Sequence, residues 1–210
     1  MVTQSRALAT RDAILRGAAE VFGARGFGLA SIADIAAAAR LTKGALYFHF
    51  TSKDELALAV IADQHRRTME ASAAILAEGR PALESLVLLS RSLGRQLLED
   101  PVVQAGIRLT TEIGTAEQPV TEPYEDWFRS IEELTRRAIE EGDVSERVDP
   151  AMFAHLLSPA FTGVQLVSAA LTGRADLLQR IRELWIVLLP GIVADGRLDA
   201  LRTLPDLVVE

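Results

Sequence analysis

The chain has 210 residues, of which 49% are hydrophobic and 24% charged, and it contains 14 Gly, 8 Pro and no Cys. This composition excludes a disordered or collagen-like chain, and the absence of cysteine excludes disulfides and cysteine-based metal or catalytic sites. The net charge of −7 argues against a uniformly basic nucleic-acid-binding protein.

The charge is distributed unevenly along the chain. Residues 1–53 carry seven Arg and Lys against three Asp and Glu, a net charge of +4. Residues 54–210 carry 15 basic and 26 acidic residues, a net charge of −11. A basic N-terminal segment followed by an acidic remainder, here called the body, indicates two surfaces with different partners. Chance scatter also produces a charge difference of this size.

Helical periodicity runs through nearly the whole chain and predicts an all-α fold. Thr10 is the predicted N-cap of the first helix, which Gly26 ends. Ser31 is predicted to cap a second helix, and Thr42 a third, short helix that reaches His49.

A longer helical body is predicted to follow. Ser52 and Glu55 form a capping box for a helix over 53–76. Further helices are predicted over about 81–98, 102–113, 124–141, 150–172 and 175–193, with a loop at 114–123. The tail from Asp195 is predicted to be loosely held.

The second and third helices, joined by a tight link, have the spacing of a helix-turn-helix, in which the last helix enters the major groove of DNA. Lys43 is suited to guanine O6 and N7, and Phe48 to a thymine methyl group, while Leu46 and Phe50 anchor the helix. An alternative is that these aromatic residues form a core plug beside an exposed lysine. The predicted DNA-binding residues are Ser31, Thr42, Lys43, Gly44, Tyr47, Phe48, His49 and Lys53.

The run from Thr10 to Leu56, and residues 41–56 above all, resembles the DNA-binding domain of the tetracycline-repressor (TetR) family. The family signature stands here as Gly44, Tyr47, His49, Phe50 and Lys53.

The resemblance implies an all-α chain of about nine or ten helices. An N-terminal three-helix helix-turn-helix domain (1–52) binds operator DNA, and a helical ligand-binding and dimerisation domain follows (53–210). It also implies a homodimer formed through the last two long helices, in which effector binding moves the recognition helices.

The body offers no catalytic constellation, no metal-ligand spacing and no phosphate loop, so we expect neither an enzyme nor a cofactor. Residues 42–50 and 101–109, with Trp127, resemble the γ-butyrolactone receptor branch of the family. That resemblance implies that Gln64, Trp127 and Thr162 contact a small lipophilic effector of γ-butyrolactone, furan or butenolide type. The alternative is a regulator of the same fold that responds to an antibiotic, to another hydrophobic ligand or to none.

The stretch from Ala151 to Gly173 has 23 residues without a charge, which is long enough to span a bilayer. It contains several polar residues, so we expect a buried helix at a subunit interface and no membrane association. The N-terminus lacks the apolar segment of a secretory signal, and a cytoplasmic location is expected.

Overall fold

The computed structural model describes residues 2–113 and 120–210, with side chains from Ala9 onwards. Within these ranges the chain forms ten α-helices and one 3₁₀ helix and no β-strand, which confirms the all-α prediction. In chain order the elements are α1 (Val2–Leu29), α2 (Ile32–Ala38), α3 (Lys43–His49), α4 (Lys53–Leu76), α5 (Ala82–Glu99), α6 (Pro101–Ile113), α7 (Glu122–Glu140), α8 (Pro150–Thr172), α9 (Leu177–Ile192), α10 (Leu198–Leu201) and the 3₁₀ helix Leu204–Val208.

The chain divides into two compact units. The first consists of Met1–Met69 and Glu99–Val120, and the second of Glu70–Leu98 and Thr121–Glu210. The first unit therefore includes α6 as well as α1, α2, α3 and most of α4. The division of labour between residues 1–52 and 53–210 stays a prediction.

The first unit has an apolar core to which each of its helices contributes. Apolar side chains of α1 are buried there, together with the predicted anchors Leu46 and Phe50. The core includes Ile14, Ala18, Phe22, Ile35, Leu46, Phe50, Leu56 and Leu109. Burial of these side chains fixes the orientations of α2 and α3.

The start of α1 differs from the prediction. Thr10 lies inside the helix, so its assignment as the N-cap is wrong. Residues 2–9 contain neither Gly nor Pro, so nothing in their backbone stops the helix before Thr10. The predicted break at Gly26 is confirmed: its φ of 73° and ψ of 173° are not helical, and one further turn reaches Leu29.

The capping box predicts the start of α4 correctly. The Ser52 hydroxyl accepts a hydrogen bond from the Glu55 N–H at 3.0 Å. The Glu55 carboxylate reaches back one residue further than expected and accepts from the Thr51 N–H at 2.7 Å. The hydrogen bonds from Thr51 lower the pKa of Glu55 below its usual value.

In the second unit α8 packs against both α7 and α9. The Asp149 carboxylate caps α8 by accepting from the Met152 N–H at 2.9 Å, and Gly173 ends the helix with a φ of 61°. These bounds agree with the helix predicted over about 150–172. Asp176 then joins α8 to α9, because it accepts hydrogen bonds from Ser168 at 2.6 Å and from Thr172 at 2.7 Å. These two hydroxyls lower the pKa of Asp176 to about 2.

The C-terminal tail is packed, so the prediction that it is loosely held is wrong. The Val208 side chain is completely buried, and Arg182 of α9 donates to Asp206 at 2.8 Å. These contacts join residues more than twenty positions apart, which local sequence pattern does not reveal.

Among the described residues, α8 is the one helix whose length and apolar composition would suffice to cross a membrane. Its inner face, however, buries Ser158, Gln165 and Ser168. The opposite face of the helix is exposed, so the described residues cover α8 only in part.

We predict that Gly26→Ala lowers the free energy of unfolding by about 1–3 kcal/mol. The backbone conformation of Gly26 is one that only glycine adopts readily, and an added Cβ would lie 2.7 Å from Nη2 of Arg108 and 2.8 Å from Oε1 of Glu112. Urea denaturation measures the change. Gly28→Ala is the matched control, because nothing lies within 4 Å of its added Cβ, and equal losses in both variants would contradict the prediction.

Candidate functional site

The helix-turn-helix begins at Ser31, which caps α2. The Ser31 hydroxyl accepts from the Asp34 N–H at 3.2 Å and donates to the Asp34 carboxylate at 2.6 Å. This hydroxyl, with a smaller effect from Arg25 2.9 Å away, lowers the pKa of Asp34 below its usual value. Ser31 itself is exposed at the protein surface.

The turn between α2 and α3 closes with two backbone hydrogen bonds. The Arg40 N–H donates to the Ala37 carbonyl at 3.0 Å, and the Leu41 N–H donates to the Ala36 carbonyl at 2.9 Å. Arg40 has a φ of 56°, the left-handed conformation in which glycine is the usual residue. The turn therefore keeps an exposed cation at a position where a side chain is disfavoured.

The recognition helix α3 has one buried and one exposed face. Thr42 caps it by accepting from the Ala45 N–H at 3.2 Å, as predicted. Leu46 is completely buried, whereas the exposed fraction is 51% for Tyr47 and 85% for Phe48. Lys43 is also exposed. The structure therefore presents a cation and two aromatic rings on one short helix with a fixed backbone.

The remaining predicted DNA-binding residues of α3 lie beside this exposed face. Gly44 is exposed, and a Cβ added to it would meet nothing closer than the Thr42 hydroxyl at 3.9 Å. The space over Gly44 is thus open to a close approach by another molecule. His49 is half-buried, and its ring meets the Phe48 ring edge-on at 5.4 Å between centroids.

Lys53 has a structural contact that the sequence did not indicate. Its Nζ donates to the Phe27 carbonyl at 2.9 Å and to the Ala30 carbonyl at 3.2 Å. The same ammonium lies 4.3 Å from the centroid of the Phe27 ring. Lys53 thus joins the start of α4 to the end of α1, and its predicted phosphate contact stays a prediction.

Two charged residues of α6, Arg108 and Glu112, also contact the end of α1. Arg108 pairs with Glu112 at 2.6 Å, which confirms the salt bridge that their spacing of four residues predicts. Arg108 Nη1 also donates to the Gly23 carbonyl at 2.8 Å, and Glu112 accepts from the Phe27 N–H at 2.7 Å. Burial opposes the charge on Glu112, but the Phe27 N–H and the Arg108 guanidinium lower its pKa overall.

Gln64, a predicted effector residue, lies in the first unit. Its side chain is completely buried on α4, and its Nε2 donates to the Thr68 hydroxyl at 3.0 Å. Its Oε1 has no partner among the described residues. Gly106 of α6 lies against it so closely that an added Cβ would come within 2.3 Å of the Gln64 Cβ.

The other two predicted effector residues lie in the second unit. Trp127 is half-buried on α7, and the Tyr124 ring meets it edge-on at 5.3 Å between centroids. Thr162 is half-buried on α8, and its hydroxyl donates to the Ser158 carbonyl at 3.0 Å. A shared effector-binding role for Gln64, Trp127 and Thr162 stays a prediction.

Two family models match the chain. Residues 14–60 match the bacterial regulatory proteins of the tetR family, and residues 80–194 match the tetracyclin repressor-like C-terminal domain. Among curated proteins, the chain is 37% identical to the A-factor receptor protein of Streptomyces griseus over 196 residues, which is 93% of this chain and 68% of that protein.

Solved structures are similar over almost the whole chain. CprB from Streptomyces coelicolor, in complex with its operator sequence, has 32% identity and a TM-score of 0.82, over 97% of this chain and 98% of that one. A γ-butyrolactone receptor described as an ArpA-like protein has 29% identity and a TM-score of 0.81, over 97% of both chains.

We predict that Lys53→Met lowers the free energy of unfolding by about 2 kcal/mol, because two carbonyl groups at the end of α1 lose a charged donor. Urea denaturation measures this loss, and Lys43→Met, which removes an exposed ammonium, serves as the control. Unchanged stability of Lys53→Met, with weaker and less salt-dependent DNA binding, would instead make Lys53 a phosphate contact.

Proposed function

The chain belongs to the TetR family of bacterial transcriptional regulators, and we propose that it is a ligand-responsive repressor. The free homodimer holds a pseudo-palindromic operator, and a small lipophilic signal releases it. Regulators of this family are DNA-binding transcription factors, so we propose that this chain works in the cytoplasm as a regulator, without catalysis and without a cofactor.

The observation that carries the proposal is the two-faced recognition helix α3. Leu46 and Phe50 are buried in the core of the first unit, so the helix backbone is held rigidly. Phe48 is 85% exposed. In the free protein its apolar ring therefore contacts water, which is unfavourable in free energy. Insertion of α3 into a major groove accounts for this exposure.

The predicted DNA-binding residues divide by chemistry into two groups. Lys43 has the charge and reach to donate to guanine O6 and N7, and Phe48 suits a thymine methyl group. Gly44 permits close approach to the DNA. Hydroxyl, imidazole and ammonium groups suited to phosphate oxygens surround them: Ser31, Thr42, Tyr47, His49 and Lys53.

For the effector we propose a γ-butyrolactone, furan or butenolide. The A-factor receptor and the γ-butyrolactone receptor to which the chain is similar support this class. We assign Gln64, Trp127 and Thr162 to effector binding, because an indole, an amide and a hydroxyl suit a ligand that is mostly apolar with a few polar atoms.

For the dimer interface we propose the outer faces of α8 and α9. Both helices expose apolar side chains at helical spacing, and Val187 is 76% exposed. The stripe comprises Met152, Leu156, Leu166, Val167 and Leu171 of α8 with Ile186 and Val187 of α9. A second copy of the chain would cover this surface by twofold symmetry and set two recognition helices about 34 Å apart, or a multiple of that spacing.

We predict that Lys43→Ala weakens discrimination between operator and non-operator DNA by about tenfold to a hundredfold, because a bidentate contact to guanine contributes about 1–3 kcal/mol. The operator is first obtained by capturing genomic fragments on the purified protein and sequencing them. Mobility-shift titrations at fixed salt then compare specific with non-specific DNA. Arg129→Ala, which changes an exposed cation on α7, is the control, and unchanged discrimination by Lys43→Ala would contradict the assignment.

We predict that Val187→Glu dissociates the homodimer, because the carboxylate would be buried without a partner in the proposed interface. Sedimentation velocity measures the oligomeric state, and operator affinity should fall with it because a monomer contacts one half-site. Val209→Glu, which adds the same charge at an exposed residue outside the stripe, is the matched control. A dimeric Val187→Glu variant would place the interface elsewhere.

We predict that Trp127→Ala abolishes release by the effector and leaves operator affinity unchanged, because the indole contacts the effector and lies outside the helix-turn-helix. A useful switch needs a coupling of about 1–3 kcal/mol between the two sites, or about fivefold to 150-fold in operator affinity. Mobility-shift assays with a synthetic 2-alkyl-γ-butyrolactone measure it.

The neighbouring ring supplies the control for this variant. Tyr124→Phe keeps the edge-on contact with Trp127 and should release normally. If antibiotics or other hydrophobic compounds release the wild-type protein while lactones do not, the effector class is wrong and the repressor assignment stands.

A further inference from the structure

The inner face of α8 carries polar side chains among apolar ones, although the helix contains no Asp, Glu, Lys or Arg. Ser158, Gln165 and Ser168 are buried, and Thr162 is half-buried between the first two. Residues at spacings of three and four lie on one face of a helix, so Ser158, Thr162 and Gln165 share a face. This face looks into the interior of the second unit.

Gln165 differs from the hydroxyl residues that flank it. The Thr162 hydroxyl donates to the Ser158 carbonyl at 3.0 Å, and the Ser168 hydroxyl donates to Asp176 at 2.6 Å. The Gln165 side chain is 1% exposed, and neither its Oε1 nor its Nε2 has a hydrogen-bond partner among the described residues. A primary amide offers two donors and an acceptor oxygen, and burying them unpaired is costly.

A second unpaired donor lies elsewhere along the same helix pair, beside Phe153, which is twelve residues before Gln165. Trp185 lies on α9, which packs against α8, and its side chain is completely buried. Its Nε1 has no partner among the described residues, and its ring lies 6.5 Å from that of Phe153 on α8. Buried polar atoms without a partner in the protein call for one from another molecule.

We infer that Gln165 is a specificity-determining residue of the effector site, an inference that rests on the function proposed above. Its Nε2 donates to the carbonyl oxygen of a lactone, and its Oε1 accepts from a hydroxyl group on the same molecule. Because the amide both donates and accepts, it selects ligands that carry both groups over ligands that carry the carbonyl alone. An ordered water satisfying the amide is the competing explanation.

The test uses the full-length dimer and two synthetic γ-butyrolactones with the same alkyl chain, one with a side-chain hydroxyl and one without. The wild type should bind the hydroxylated probe about tenfold more tightly by calorimetry, as expected for one additional hydrogen bond. Gln165→Leu should lose this preference and release operator only at about tenfold higher concentration of the hydroxylated probe. Its melting temperature without ligand should be unchanged or higher, because the unpaired amide is gone.

Two further variants keep the test decisive. Gln179→Leu removes an exposed amide on α9 and should behave as wild type, and Gln165→Met replaces the leucine if that variant does not fold. Equal preference for the hydroxylated probe in wild type and Gln165→Leu would overturn the inference and leave the proposed function intact. A wild type that neither lactone binds or releases would overturn both.

Discussion

The end of α1 depends on three charged side chains that come from distant parts of the sequence. Arg108 bonds the Gly23 carbonyl, Glu112 accepts from the Phe27 N–H, and Lys53 donates to the Phe27 carbonyl. These backbone groups lose their helical partners where the chain turns at Gly26, and the three side chains replace those partners. Because α2 and α3 follow directly, this junction sets where the recognition helix lies relative to α4 and α6 in the same unit.

Local sequence signals predicted most of the fold. The caps at Ser31, Thr42 and Asp149 and the break at Gly26 each involve groups within a few residues of one another, so they can be identified without a structure. The two errors have opposite causes. Thr10 has the side chain of a cap but no helix-breaking residue before it, whereas the tail is fixed by Val208 and Asp206 through contacts with distant residues.

The candidate site was predictable to the same extent. Exposure of Lys43 and Phe48 follows from the spacing of Leu46 and Phe50, since these anchors fix the face that turns outward. The contacts of Lys53 with the end of α1 bridge more than twenty residues, and no local pattern indicates them. The unpaired amide of Gln165 depends on what surrounds it in space, which the sequence does not supply.

The first compact unit is discontinuous in sequence, because α6 joins it after α5 has been built into the second unit. This discontinuity limits how the DNA-binding segment can be exchanged between regulators. A hybrid that grafts residues 1–52 onto a foreign body would leave Gly23 and Phe27 without Arg108 and Glu112 unless the donor body supplies the same pair one helical turn apart. A DNA-binding segment that is exchanged between regulators of this architecture therefore has to include α6, or at least its Arg108 and Glu112 pair.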